Sequence, residues 1–191
     1  MKKVLLAVLF TVTVFFAAHA QDQDWFADKF PEKLINAKGK EVDTATALKG
    51  KIVAVYFSAS WCPPCRGFTP QFVKFYKSVA KKGNLELVFV SWDKEEKAMK
   101  NYMKTYKMPW LAIPYDAQER DQMGKTMRVN GIPRLIIFDS EGKILSSNGR
   151  WDVVILGNNA LKAWQSPDYK AKTYEDYKGK KGKSSKKRKR K

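Results

Sequence analysis

Cysteine and histidine are scarce in this 191-residue sequence, which holds two Cys and one His. Zinc centres take four ligands, mostly Cys and His, so a metal site here would need a second chain to complete it. The two cysteines are two residues apart, Cys62 and Cys65, and a loop that short gains little as a structural staple. No strictly apolar run reaches the ~18–20 residues of a membrane span; the longest mostly apolar stretch, 4–18, contains Thr11 and Thr13. Acids are absent from 178–191, KGKKGKSSKKRKRK, which holds ten Lys or Arg. With one sign of charge and no apolar side chain, that segment is expected to be disordered.

What is present is enough for one folded domain, at 44% hydrophobic and 13% aromatic residues. Lys2 and Lys3, the apolar 4–18 and Ala18-His19-Ala20 have the order of a secretory signal with a small-x-small cleavage site. Residues 1–20 are therefore read as a signal peptide, 21–165 as the domain and 166–191 as a Lys/Arg-rich tail, in a secreted protein of the bacterial periplasm. Of the formal +18, two charges belong to Lys2 and Lys3 and ten to the last fourteen residues, leaving +6 for 21–177. The tail is either a solvated extension or an electrostatic tether to an anionic surface or nucleic acid.

The hydrophobic period switches along the chain. Ile52–Phe57 is a continuous β-prone run, as in a strand buried on both faces. Phe68, Phe72, Phe75, Tyr76 and Val79 recur at helical spacing, with Gly83 as a stop. Leu85–Val90 predicts a second strand. Met99, Tyr102, Met103 and Tyr106 stripe a second helix, a pattern of core packing, with Asp93 as its N-cap. A weaker helical pattern covers 117–127, Leu135–Phe138 and Lys143–Leu145 flank a hairpin turn, and 151–164 is partly helical. Strands joined by a helix run parallel and a hairpin runs antiparallel, so the expected fold is α/β with a mixed central sheet and helices on both faces.

Cys62 and Cys65 follow a buried strand and open a helix. The first sulfur then sits near backbone N–H groups that have no intrahelical partner, at the positive end of the helix dipole, which favours the reactive thiolate. Three residues are nearly one turn, so Cys65 can resolve a mixed disulfide formed at Cys62. Pro63 and Pro64 fit first-turn positions. C-x-x-C in a βαβ setting is a redox signal.

The run Tyr56-Phe57-Ser58-Ala59-Ser60-Trp61-Cys62-Pro63-Pro64-Cys65-Arg66-Gly67-Phe68-Thr69-Pro70 resembles the active-site segment of the tryparedoxin and nucleoredoxin branch of thioredoxin-like proteins. Ser91-Trp92-Asp93 and Val129-Asn130-Gly131-Ile132-Pro133 are similar to the same branch. The resemblance covers about residues 30–151 and implies a thioredoxin-like fold. It implies Cys62 as nucleophile, Cys65 as resolving thiol and Trp61 as a flat wall beside them. It also implies Pro133 as a cis-proline that lets the Ile132 backbone meet substrate. Typical thioredoxins carry a buried acid where this chain has Tyr56, so the proton acceptor for Cys65 is open between water, Tyr56 and Asp93. Arg134 stands where the branch more commonly has Thr; a cation there could lower a thiol pKa, select acidic partners or point to solvent.

The expected activity is thiol–disulfide exchange with protein disulfides by a monomer. It needs no cofactor beyond the Cys62–Cys65 pair and depends on an unidentified electron donor or acceptor. The alternative is a thioredoxin-like adaptor held at anionic surfaces or nucleic acid by its tail.

Overall fold

The computed structural model describes residues 25–80 and 84–170; the expected signal segment, Gly83 and the 178–191 run lie outside them. The chain order is α1 (Trp25–Lys29), β1 (Lys33–Ile35), β2 (Glu41–Asp43), α2 (Thr44–Leu48), β3 (Ile52–Ser58), α3 (Pro63–Val79) and β4 (Leu85–Ser91). It continues with α4 (Glu96–Thr105), β5 (Leu111–Ala112), α5 (Gln118–Thr126), β6 (Arg134–Phe138), β7 (Ile144–Ser146), α6 (Gly149–Leu156) and α7 (Asn159–Trp164). The apolar run of β3 takes a central place in one mixed sheet ordered β2-β1-β5-β4-β3-β6-β7. β3 pairs parallel with β4, from Ile52↔Leu85 to Ser58↔Ser91, and antiparallel with β6, from Val53↔Phe138 to Phe57↔Arg134.

Side chains alternate across a strand, and here each face has its own core. Ala54, Tyr56, Leu87, Phe89, Leu135 and Ile137 pack with α3, α4, α6 and α7. Val53, Val55, Phe57, Val88, Val90 and Ile136 pack with α1, α2 and α5. Each fully buried large apolar side chain contributes roughly 1.5–3 kcal/mol, and Phe72, Phe89 and Leu87 are fully buried.

The structure differs from the sequence reading at the edges. α1, β1, β2, α2 and β5 were not foreseen, because elements of two to five residues show too little of a period to be recognised. The stretch 151–164, expected to be helical in part, holds α6 and α7, parted at Gly157, whose φ of +54° closes α6. Asp93 does not cap α4; Glu95 holds that position without a side-chain bond, and Asp93 turns toward the end of β3 instead.

The C-terminal closure rests on Asp152, fully buried. Its Oδ2 accepts from Ser146 Oγ at 2.7 Å, Trp164 Nε1 at 3.0 Å and Tyr169 OH at 2.8 Å, joining β7, α6, α7 and the chain after α7. Asp152→Ala leaves these three donors without that acceptor and is expected to lower stability by about 2–4 kcal/mol. The drop should appear as a lower urea midpoint at unchanged slope.

Candidate active site

Three neighbouring strands deliver the site to one edge of the sheet. β3 ends at Ser58 and leads into the Ala59–Cys62 loop, and β4 ends at Ser91 and leads into Trp92-Asp93. β6 begins at Arg134, directly after a cis Ile132–Pro133 bond. Cys62, Cys65 and Ala59 form a small buried cluster against which Trp92 and Ile132 pack.

Cys62 and Cys65 are joined as a disulfide, with Cα atoms 5.2 Å apart. Cys62 is the N-cap of α3, and its Sγ accepts from the Cys65 backbone N–H at 3.3 Å. Pro63 and Pro64 fill the first positions of the helix, where a missing N–H leaves no bond unmade. Cys62 is 3% exposed and Cys65 wholly buried, so what little of the disulfide reaches the surface is the Cys62 sulfur's side. The Ile132 carbonyl oxygen lies 3.8 Å from Cys62 Sγ, which sets the loop before Pro133 against the sulfur.

The loop carrying Cys62 is tied down by Asp93. Its Oδ1 accepts from the Ser60 N–H at 2.8 Å and from Ser60 Oγ at 2.6 Å, while Oδ2 accepts from Ser91 Oγ at 2.9 Å. Arg66 Nη1 donates to the Ser60 carbonyl at 2.9 Å. Trp61 is 53% exposed, yet its Nε1 donates to the Trp92 carbonyl at 3.0 Å, holding an apolar plate over the rim. Arg134 is half-buried at the start of β6 and lines a 160 Å³ pocket beside Pro133 with Arg150; the Nε of each is buried with no hydrogen-bond partner among the described residues.

Beneath Cys65 lies a hydroxyl cluster. Thr69 Oγ1 donates to the Cys65 carbonyl at 2.8 Å and lies 2.8 Å from Tyr56 OH and 2.6 Å from Tyr102 OH; Ser58 Oγ is 3.0 Å from Tyr102 OH. A hydroxyl has one proton and two lone pairs. With its proton on Cys65, Thr69 accepts from both tyrosines, and Ser58 donates to Tyr102. Burial above all pushes the phenol pKa of Tyr56 and of Tyr102 well above the usual tyrosine value.

Trp61, Pro63, Pro64, Trp92, Ile132 and Pro133 thus stand at the cysteines, Asp93 reaches their loop through Ser60, Tyr56 reaches the Cys65 carbonyl through Thr69, and Arg134 follows Pro133 at the pocket it shares with Arg150. Sequence reasoning missed Ser58, Ser60, Thr69 and Tyr102. Thr69, four residues after Cys65, was the one with a signal, since i and i+4 share a helix face. Tyr102 was hidden in a stripe read as packing, which it also serves. Among the described residues no group of three His, Cys, Asp or Glu could hold a metal ion.

A buried strand that feeds a disulfide at a helix N-terminus, faced by a proline loop, is the construction of a thiol–disulfide exchange centre. The Thioredoxin-like family model matches residues 50–144. Tryparedoxin of Trypanosoma brucei brucei is 43% identical over 120 residues, 62% of this chain and 81% of that protein. Probable nucleoredoxin 1 of Arabidopsis thaliana is 42% identical over 117 residues, 61% of this chain and 20% of that much longer relative. Among solved structures, tryparedoxin from Trypanosoma brucei superposes with a TM-score of 0.66 at 40% identity, covering 73% of this chain and 96% of that one. Tryparedoxin II complexed with glutathionylspermidine has a TM-score of 0.60 at 37% identity, covering 65% and 86%. The chain belongs to the thioredoxin-like family of thiol–disulfide oxidoreductases, in its tryparedoxin and nucleoredoxin branch.

The expectation of a secreted, periplasmic protein is overturned by these relatives, since nucleoredoxins and tryparedoxins are cytoplasmic or nuclear proteins. The residues on which that expectation rested, 1–20, lie outside the described residues.

The buried tyrosines set a pH limit on the fold. Their folded pKa values lie above the unfolded value of 10.0, so the stability they contribute is complete below pH 10 and is lost as pH rises toward the folded values. Each buried tyrosine should steepen the decline by up to about 1.4 kcal/mol per pH unit. Urea unfolding above pH 10 is expected to show a falling midpoint, with a shallower slope in Tyr102→Phe.

Proposed function

We propose that this protein reduces or exchanges protein disulfides, with Cys62 as the attacking thiol and Cys65 as the resolving one. The placing of the pair carries the reading: Cys62 is the N-cap of α3 and keeps the little exposure the two sulfurs have, 3%, while Cys65 stands within the first turn and is wholly buried. In the reduced protein the first-turn N–H groups and the helix dipole favour thiolate at Cys62. Trp61, Pro63, Pro64 and the Ile132-Pro133 loop would form the surface on which the substrate strand lies.

The exchange balances without a bound cofactor. Cys62 thiolate attacks one substrate sulfur, forming a mixed disulfide as the other substrate sulfur leaves as thiolate. Cys65 gives its proton to that departing thiolate and attacks Cys62 Sγ, releasing the second substrate sulfur and closing Cys62–Cys65. Two electrons pass from the dithiol to the substrate. A separate dithiol or thiol donor must restore the pair for another cycle, and an acceptor of disulfide class would run it in reverse. Asp93 acts as a positioning residue, holding the Ser60-Trp61-Cys62 loop rather than exchanging the proton.

The dithiol-linked reduction of a protein disulfide such as insulin tests this reading. Cys62→Ser is expected to lose turnover altogether. Cys65→Ser is expected to attack once and stay trapped as a mixed disulfide that is seen on a non-reducing gel. Full turnover by Cys62→Ser would sink the assignment. Asp93→Ala is expected to slow the attack by Cys62 by about tenfold, equivalent to roughly 1.4 kcal/mol of lost positioning, while mixed-disulfide formation still occurs.

A further inference from the structure

A groove of about 760 Å³ runs from Trp61 along α5, beside the disulfide, with Trp92 and Gly124 in its wall. α5 lies hard against Trp92: a Cβ added at Gly124 would stand 3.1 Å from the indole. Arg120, Lys125 and Arg128 supply three positive charges, and Asp121 is the one acid in the lining. Asp121 is already paired with Arg120 Nη2 at 2.8 Å. Arg120 also stacks on Tyr115, and its Nε is buried with no hydrogen-bond partner among the described residues. Lys125 and Arg128 are exposed, and neither has an acidic partner among the described residues.

Arg128 occupies a backbone position that suits glycine. Its φ is +51°, with its N–H bonded to the Lys125 carbonyl at 3.1 Å and the Val129 N–H to the Gly124 carbonyl at 2.7 Å. This is a Schellman closure of α5, in which the left-handed residue is usually Gly. The same closure ends α4, where Lys107 has φ +51° but does not line the groove.

Building on the disulfide exchange proposed above, we propose that this groove receives an acidic segment of the protein substrate, a few residues from its disulfide. Unpaired cations in a cleft attract and orient a chain of opposite charge. The same charge disfavours polyamine conjugates, the class to which the glutathionylspermidine bound by the tryparedoxin II neighbour belongs.

The full-length reduced protein can be tested on three synthetic peptides that share one internal disulfide and differ only in four flanking residues: glutamate, glutamine or lysine. The glutamate peptide is expected to be reduced about tenfold faster than the glutamine peptide at low salt, and the lysine peptide slowest, because steering changes on-rates by at least that much. The preference should collapse at high salt. Arg128→Gly combined with Lys125→Gln is expected to cut the glutamate-to-glutamine ratio at least threefold. Lys107→Gly, which relieves the same backbone conformation, should leave that ratio alone. Thermal unfolding of both variants checks that they fold. Equal rates on glutamate and glutamine peptides at low salt, or a ratio retained in the double variant, overturns the proposal. So does an oligothymidylate bound through Arg128 and Lys125 without any peptide preference, which would assign the groove to nucleic acid. Failure to reduce any of the three peptides overturns the exchange reading itself, and this proposal with it.

Discussion

Ser58 pairs with Ser91 on one side of β3, and Phe57 pairs with Arg134 on the other. Those two adjacent rungs place three separate chain segments within reach of one sulfur. A slip of one residue would turn every side chain of the strand to the opposite face. Tyr56 would then leave the α3 side and Phe57 the α5 side, and each is packed too fully for that exchange. The same register puts Asp93 where it can bond Ser60 across the gap between strand ends. The ladder is extended by one bond, Trp92 N–H to the Ser58 carbonyl at 2.9 Å. The site is therefore assembled by ordinary sheet pairing, and only its last few ångströms depend on side-chain bonds.

The parts of the fold that could be read from sequence are those where one physical signal runs long enough to repeat. β3 and β4 are continuous apolar runs, α3 carries five apolar positions at helical spacing, and the hairpin of β6 and β7 is marked by Asp139-Ser140-Glu141-Gly142. β1, β2 and β5 are too short for a period, and their pairing is decided by partners far away in sequence. Asp93 shows the limit most clearly. A carboxylate just before a helix is a capping signal, but a serine loop more than thirty residues earlier in the chain competed for it and won. Tyr169 is similar: the composition after residue 165 has no apolar face, yet one phenol reaches the buried Asp152. Around the cysteines, most residues within or beside a recognisable motif were found, while the hydroxyl of Tyr102 was not, because a hydrogen bond made across the core to Ser58 and Thr69 leaves no local pattern.

Replacing a buried acid by Tyr56 changes what the interior beneath the disulfide can do. An unpaired carboxylate there would be costly to ionise and would exchange a proton readily; a buried phenol is neutral throughout the physiological range. The proton count at Thr69 goes further. Because Thr69 donates to the Cys65 carbonyl, the hydroxyl of Tyr56 must donate to Thr69, and it has no proton vacancy to offer a thiol. Asp93 is engaged by three donors from Ser60 and Ser91. Both groups thus hold geometry: one fixes the first turn of α3 from below, the other the loop that precedes it. In the proposed exchange the proton of Cys65 then passes to the departing substrate thiolate. Donor and acceptor are then both sulfur groups, one leaving as the other attacks, and the transfer needs no third group.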